Sequence, residues 1–416
     1  MNAPAHSHPG RLFFASCVAL TVTAMSFAIR GDIMGDLERE FSLTHAQSGI
    51  IAGTAFWGFT LAMIFGGPLC DVLGMGRLLV VAFVGHLAGI AMTIFAGGYW
   101  GLFAGTLSIG LANGLVEAAC NPLVATLYPD DKTHRLNHFH VWFPGGIVIG
   151  GLLAFLITRA GDHSPSEWKI KMATMLIPTI LYGVLFIGKN FPRTERVQSG
   201  ISTGAMFSAC ASPLFVLLVL CMLLTAATEL GTNQWIPEML KSTLSQNSAA
   251  PSNPATGILI LVWISGLMAV GRQFAGPIVH RLSPAGMLLF SAVFSALGLL
   301  GISFANSAPT AFIAATIFSI GICYFWPTMI GITSELMPRT GAVGMAIMGG
   351  AGMLSVSIII PIMGKVYDDQ GAAIALRYTT ALPAILVLVF GAIFLHYRKS
   401  GGYKARKIGS DTDTTH

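Results

Sequence analysis

Charge is what this chain has least of. Only 10% of its 416 residues are Asp, Glu, Lys or Arg, while 54% are hydrophobic, a balance that excludes an ordinary soluble domain, in which about a quarter are charged. Cysteine offers no chemistry either. Cys17, Cys70, Cys120, Cys210, Cys221 and Cys323 fall within or at the edges of apolar runs, with no C-x-x-C pair and no histidine at zinc spacing, so they read as small apolar fillers. Metal-spaced histidines and a nucleophile beside a base are also missing, which argues against a membrane enzyme. The net charge of +5 comes from basic residues scattered over short loops; it speaks of topology and an anionic leaflet rather than of nucleic acid.

What is abundant is apolar sequence long enough to cross lipid. Runs of about 20 residues, the length a spanning helix needs, recur at 11–31, 46–70, 77–97, 100–128, 138–158, 171–189, 208–236, 256–279, 285–305, 309–336, 342–366 and 374–397. The expected fold is an all-α membrane protein of twelve transmembrane helices. Ser26-Phe27-Ala28 imitates a signal-peptide cleavage site, but the run from Leu12 to Ile29 is longer than a usual signal core and many spans follow, so it is read as the first helix. Placing both termini in the cytoplasm puts Arg11, Arg77, Lys132, Arg135, Lys189, Arg193, Arg196, Arg281, Arg339 and the tail cluster Arg398, Lys399, Lys404, Arg406 and Lys407 inside. Arg39, Arg159, Lys169, Lys171, Lys241, Lys365 and Arg377 then lie outside, with Arg30 at a helix end. The positive-inside bias supports this orientation, Lys169 and Lys171 being its weakest point.

Residues 190–207, basic and carrying Ser199, Gly200 and Ser202, form the longest cytoplasmic connection and the natural seam. They divide a six-helix bundle in 1–189 from another in 208–397, with 398–416 as a cytoplasmic tail. The halves echo each other: Gly66-Gly67-Pro68-Leu69-Cys70-Asp71 closes the second span as Gly276-Pro277-Ile278-Val279-His280-Arg281 closes the eighth. Asn121-Pro122 and Tyr128-Pro129 in the fourth stand against Trp326-Pro327 and Met337-Pro338 in the tenth. Two duplicated halves with a site between them at the midplane is the architecture of alternating-access carriers.

Against this background the intramembrane charges carry the information. Glu117 sits in the apolar stretch 111–122, where an ionised carboxylate costs roughly 2.5–3.5 kcal/mol or more, and such acids usually line substrate or proton paths. A carboxyl held out of water favours its neutral form, so it can take a proton and release it when a cavity opens. An interhelical bond to a basic partner is the plainer alternative. Glu229, in the second half at the place corresponding to Asp32 in the first, either binds substrate hydroxyls or ends a helix in solvent. Asn233, Gln234 and Trp235 offer amides and an aromatic face, a combination that suits a polyol. Trp142, Phe143, Tyr324 and Trp326 are further candidate walls, though many aromatics in lipid only pack. His140 is a candidate contact to substrate or proton, and His86 a packing residue. Arg272 is expected to close the cytoplasmic gate against helix-end carbonyls, with anion binding as its functional alternative.

Gly67-x-x-x-Asp71-x-x-Gly74-x-Gly76-Arg77 resembles the cytoplasmic loop signature of the major facilitator superfamily. The resemblance implies a latch built on Asp71 and Arg77, although the basic residues usual at Val72, Met75 and Gly76 are missing. Within that superfamily, Glu117-Ala118-Ala119-x-Asn121-Pro122, Gly271-Arg272-Gln273-Phe274-Ala275-Gly276, Phe325-Trp326-Pro327-Thr328 and residues 345–351 resemble the fucose/proton symporters and related bacterial sugar carriers. The resemblance implies that Asp32 and Glu117 are the protonatable pair. It departs where the family has polar amides and this chain has Ile29, His140 and Phe143, which speaks against fucose itself. Arg30, beside Asp32, either pairs with it or snorkels to the interface.

The leading expectation is a secondary transporter that symports a sugar or related polar molecule with protons across a bacterial inner membrane. Sodium is the alternative coupling ion, and no other cofactor or metal is expected. The expected partners are the small-molecule substrate and membrane lipid, with the chain acting as a monomer. The rivals are a drug/proton antiporter, weakened because Phe143-Pro144-Gly145-Gly146 reverses that group's fifth-helix order, and an organic anion carrier using Arg30 and Arg272.

Overall fold

The structure is a computed structural model that describes residues 9–160, 166–236 and 255–406; the side chains at 45–46, 203, 255–259 and 279–280 stand outside the description. Lys241 and Lys407, two of the loop charges counted above, lie outside the described residues. Eleven described helices are long and apolar enough to cross a membrane: α1 Pro9–Phe41, α2 Gln47–Leu73, α3 Met75–Ile94, α4 Tyr99–Leu127, α5 Lys132–Ala160, α6 Glu167–Phe186, α7 Pro213–Ile236, α9 Arg281–Ser303, α10 Ala308–Leu336, α11 Pro338–Gln370 and α12 Ala372–Lys399. A further apolar helix, α8 Ala255–Gln273, stands between α7 and α9. The helix in the run 256–279 ends at Gln273, where the chain turns at Phe274; the chain kinks again beyond that run at Ser283, whose φ of 61° lies in the left-handed region just before Pro284. The multi-pass all-helical fold follows from the solvent: inside lipid every backbone polar group needs an internal partner, and helices supply it.

The first six helices pack mainly on one another, α2 and α3 against α4 and α1 against α5, and the last six do the same through α9 against α10 and α12. The two sets meet along α2 and α11, α5 and α10, and α5 and α8. Close approach depends on missing side chains. A Cβ added at Gly67 of α2 would come within 2.5 Å of the Ala346 Cβ on α11, and one at Gly331 of α10 within 2.5 Å of Thr133 Oγ1 on α5.

Polar contacts reinforce these crossings at the end that carries the 190–207 connection and the C-terminal tail. Glu335 accepts from the Thr133 N–H at 3.1 Å and Thr133 Oγ1 at 2.6 Å, while its second oxygen accepts from the Tyr403 hydroxyl at 2.8 Å. Burial first, and the Glu335 carboxylate second, hold the Tyr403 hydroxyl well above its ordinary range, so it remains a donor. Asn137 Nδ2 reaches Thr328 Oγ1 at 3.3 Å, and Lys132 pairs with Glu195 at 2.6 Å. This end of the bundle is closed. At the opposite end, the pairs Asp32–Lys171 and Glu40–Lys169 both lie within the first six helices.

Candidate functional site

Three irregular helices converge on one small cavity between the halves. In α5 the helix stops at Phe139 and restarts at Trp142; in α10 it stops at Ile322 and restarts at Phe325. Proline explains both breaks. Pro144 and Pro327 lack an N–H, so the carbonyls four residues earlier, those of His140 and Cys323, lose their helical donors. The third irregularity is a π-turn at Ala227–Gly231 of α7, which sets Glu229 into the same space; such bulges are frequent at functional sites.

Arg272, near the end of α8, fills the gap those breaks create. Its Nε donates to the Cys323 carbonyl at 2.6 Å, its Nη1 to the His140 carbonyl at 3.0 Å and its Nη2 to Glu229 Oε1 at 2.8 Å. One guanidinium therefore holds a freed carbonyl from each half together with a carboxylate. Arg272 and Glu229 are each only 1% exposed, so the pair is dry and its strength depends on all three acceptors being in place.

Glu117, Phe143, Trp326, Leu230 and Met353 complete the wall with His140. The enclosed space is about 10 Å³, room for a single water. Glu117, also 1% exposed, accepts from Asn121 Nδ2 at 2.7 Å, and Asn121 Oδ1 accepts from His140 Nε2 at 3.0 Å. His140 Nε2 itself stands 3.8 Å from Glu117 Oε2. Glu229 Oε2 and Trp326 Nε1 are buried without a hydrogen-bond partner among the described residues, as is Asn233 Oδ1 one turn further along α7.

The remaining candidates are placed elsewhere. Asp32 is not on the cavity wall; it is bound to Lys171 at 2.7 Å near the far end of α1, with Glu167 a further partner of that lysine at 3.2 Å. Arg30 lies over the Phe27 ring, 5.0 Å from its centroid, and not on Asp32. Gln234 is exposed, facing away from the site. Trp235 donates to the Ile360 carbonyl at 3.0 Å and stacks near Tyr367, which makes it a packing residue between α7 and α11. Tyr324 is likewise tied to the Gly271 carbonyl at 2.9 Å. His86 bonds Tyr182 and Asn113, each at 2.9 Å, within the first half. Asp71 finds its basic partner in the connecting segment: Arg196 Nε at 2.8 Å, with Thr194 Oγ1 also donating. Arg77 is exposed beside Lys189 and Phe191 and is not among the partners of Asp71.

Two residues central to this geometry carried no assigned role in the sequence reading. Asn121 sat inside the E-x-x-x-N-P motif as a match only, and Cys323 read as filler. The proline pair was the available signal, since each freed carbonyl lies four residues before a Pro.

Comparison with known proteins agrees with the architecture. Residues 12–358 match the Major Facilitator Superfamily. Among relatives, the cis,cis-muconate transport protein of Acinetobacter baylyi is 24% identical over 414 residues, spanning 94% of this chain and 95% of that protein. The L-fucose-proton symporter of Escherichia coli is 22% identical over 416 aligned residues, covering 91% and 92%. Solved structures of the same fold include the transporter FucP in the outward conformation, at a TM-score of 0.77 and 18% identity over 92% of this chain and 98% of that one. The proton:xylose symporter XylE superposes with a TM-score of 0.78 at 15% identity, covering 93% and 96%. With its helices, its cavity between two halves and a match that spans most of its length, this chain belongs to the major facilitator superfamily and is a transporter.

Proposed function

We propose that this transporter is a proton-coupled symporter that imports a neutral polar molecule, a sugar or polyol, by alternating access. The observation that carries the reading is that Glu117 shares one buried cavity with the Arg272–Glu229 pair. A proton acceptor and a hydrogen-bonding ion pair then meet the same substrate. Charge favours a neutral solute: with His140 uncharged, two carboxylates against one guanidinium leave the wall one negative charge, and one proton on Glu117 brings it to zero. Glu229 Oε2, Asn233 Oδ1 and Trp326 Nε1, all lacking partners among the described residues, are suited to hydroxyl groups, and the Trp326 ring to the C–H face of a sugar. With both termini cytoplasmic, in a bacterial inner membrane, the closed end faces inward, and Asp71–Arg196 and Glu335–Thr133 are its bolts.

Uptake into proteoliposomes from a panel of labelled sugars, with and without an imposed pH gradient, tests the reading. Glu117→Gln mimics the protonated side chain, so it should abolish accumulation driven by the gradient yet keep downhill exchange, which needs no net proton cycle. Loss of both activities, or of neither, overturns the assignment. Asp32→Asn, which breaks only the Lys171 pair, should leave the gradient dependence intact.

One observation favours a second reading, an organic acid carrier: Arg272 lies on the cavity wall, and a relative aligned over nearly the whole chain is a muconate transport protein. A monoanion on Arg272 requires both Glu117 and Glu229 to be neutral, so its uptake would depend more steeply on proton concentration than that of a sugar. The same assay with carboxylic acids in the panel separates the two.

A further inference from the structure

Both ends of the Asn121 amide are engaged, and an amide is polar in one direction only: its NH₂ donates and its oxygen accepts. As long as Glu117 is ionised it only accepts, so Nδ2 must face it, Oδ1 must face His140, and Nε2 of His140 must carry the ring proton. A proton on Glu117 Oε2, the oxygen that faces the amide, reverses the demand, because that O–H now has to donate. A half-turn of the amide meets that demand. Oδ1 then accepts from Glu117, Nδ2 donates to His140 Nε2, and that nitrogen has to be bare, with the ring proton on Nδ1.

We propose that Asn121 is a polarity switch that ties the proton load of Glu117 to the tautomer of His140. The inference rests on the reading of Glu117 as the proton carrier and adds the route and the latch. A proton from water in the opened cavity binds His140 Nδ1 and makes a transient imidazolium. The Nε2 proton passes to Glu117 Oε2, a gap of 3.8 Å in the structure that the ring closes as Asn121 lets go. One proton enters at Nδ1 and one leaves Nε2, so His140 ends neutral, Glu117 ends protonated, and the flipped amide holds both. Release runs the same steps backwards.

The surroundings suit a switch rather than a simple brace. Asn121 is fully buried on α4, so no bulk water competes for its amide. The titratable and charged groups facing Glu117 are Cys120 on its own helix, His140 from α5, and Glu229 and Arg272 from the second half. His140 joins the two halves, since its main-chain carbonyl is an acceptor of Arg272. A change in its ring therefore occurs at the contact that must break for the cavity to open.

Infrared difference spectroscopy of the full chain, labelled with ¹⁵N-histidine and titrated with protons alone, tests this without knowledge of the substrate. The protonated carboxyl band that vanishes in Glu117→Gln identifies Glu117, and tautomer-sensitive ring bands report His140, identified by their loss in His140→Gln. In the natural sequence the two sets of bands should change with one midpoint. In Asn121→Leu, which keeps the volume and removes the polarity, the histidine bands should stop following the carboxyl band. If Glu117 titrates and the histidine bands stay constant in the natural sequence, or if they still follow it in Asn121→Leu, the switch is overturned while the proton carrier stands. If no carboxyl band depends on Glu117, the carrier assignment itself fails.

Discussion

Arg272→Met would remove three bonds from the centre of the molecule at once, those to the carbonyls of Cys323 and His140 and to Glu229 Oε1 at 2.6, 3.0 and 2.8 Å. Removing one partner of a buried ion pair costs about 3–5 kcal/mol because the other charge is left uncompensated. Each carbonyl that loses its donor adds roughly 1–3 kcal/mol. At the low ends of these ranges the substitution costs about 5 kcal/mol, of which about 3 belongs to the stranded Glu229. Glu229→Gln in the same chain removes that charge and leaves only the carbonyls short of donors. The double variant should therefore be more stable than Arg272→Met alone by about 3 kcal/mol, roughly a hundredfold in an equilibrium constant. Denaturant unfolding in detergent, compared across the four members of the cycle, measures this coupling. Arg272→Lys should fall between, since an ammonium lacks the planar fork that meets three acceptors. A double variant no more stable than Arg272→Met would refute the placement of the cost in the Glu229 charge.

Two further outcomes concern the closed end. Asp71→Asn and Arg196→Gln should each speed tryptic cleavage within 190–207 several-fold and slow transport turnover, with the double variant adding little to either, because both break the 2.8 Å Asp71–Arg196 pair, which together with the Thr194 hydroxyl on Asp71 ties this segment to α2. Independent, additive effects would mean that the two residues act apart. Gly331→Val should push α10 from α5, since even a Cβ there meets Thr133 Oγ1 at 2.5 Å and its Cα at 2.9 Å. Spin labels on the two helices should then report a longer distance, and an unchanged distribution would show that the crossing is not a tight fit.

The membrane architecture was legible because lipid imposes it residue by residue: each span needs its own apolar length, and Glu117 stood out by its cost alone. Pairings over long separations were not legible in the same way. Asp32 and Lys171 are 139 positions apart, and Asp71 takes Arg196, 125 positions away, rather than the nearby Arg77. Linear distance from a motif says nothing about which loop folds back over it. The expectation that Asn233, Gln234 and Trp235 together offer amides and an aromatic face to one solute meets a local constraint. Successive residues of a helix point about 100° apart, so while Asn233 is buried, Gln234 is exposed and Trp235 turns to the Ile360 carbonyl.

Arg272 shows why a broken helix and a buried charge belong together. Its position at the end of an apolar run suggested a residue at the gate, because a guanidinium in lipid needs water or several acceptors. A regular helix has none to give, as its carbonyls are already bonded within the helix. Proline changes that supply: Pro144 and Pro327 each free one carbonyl, and the two carbonyls lie in different halves. The cation is thus drawn inward to the one level where acceptors are available, and the same bonds become a clasp between the halves. Opening the cavity must release the His140 carbonyl from Arg272, which leaves a buried donor unmet unless a substrate or Glu229 takes it up. Glu229 has one oxygen without a partner among the described residues and lies on the same half as Arg272, so the natural receiver of that donor moves with it. The clasp can therefore break without stranding the charge, which the proposed alternating-access cycle requires.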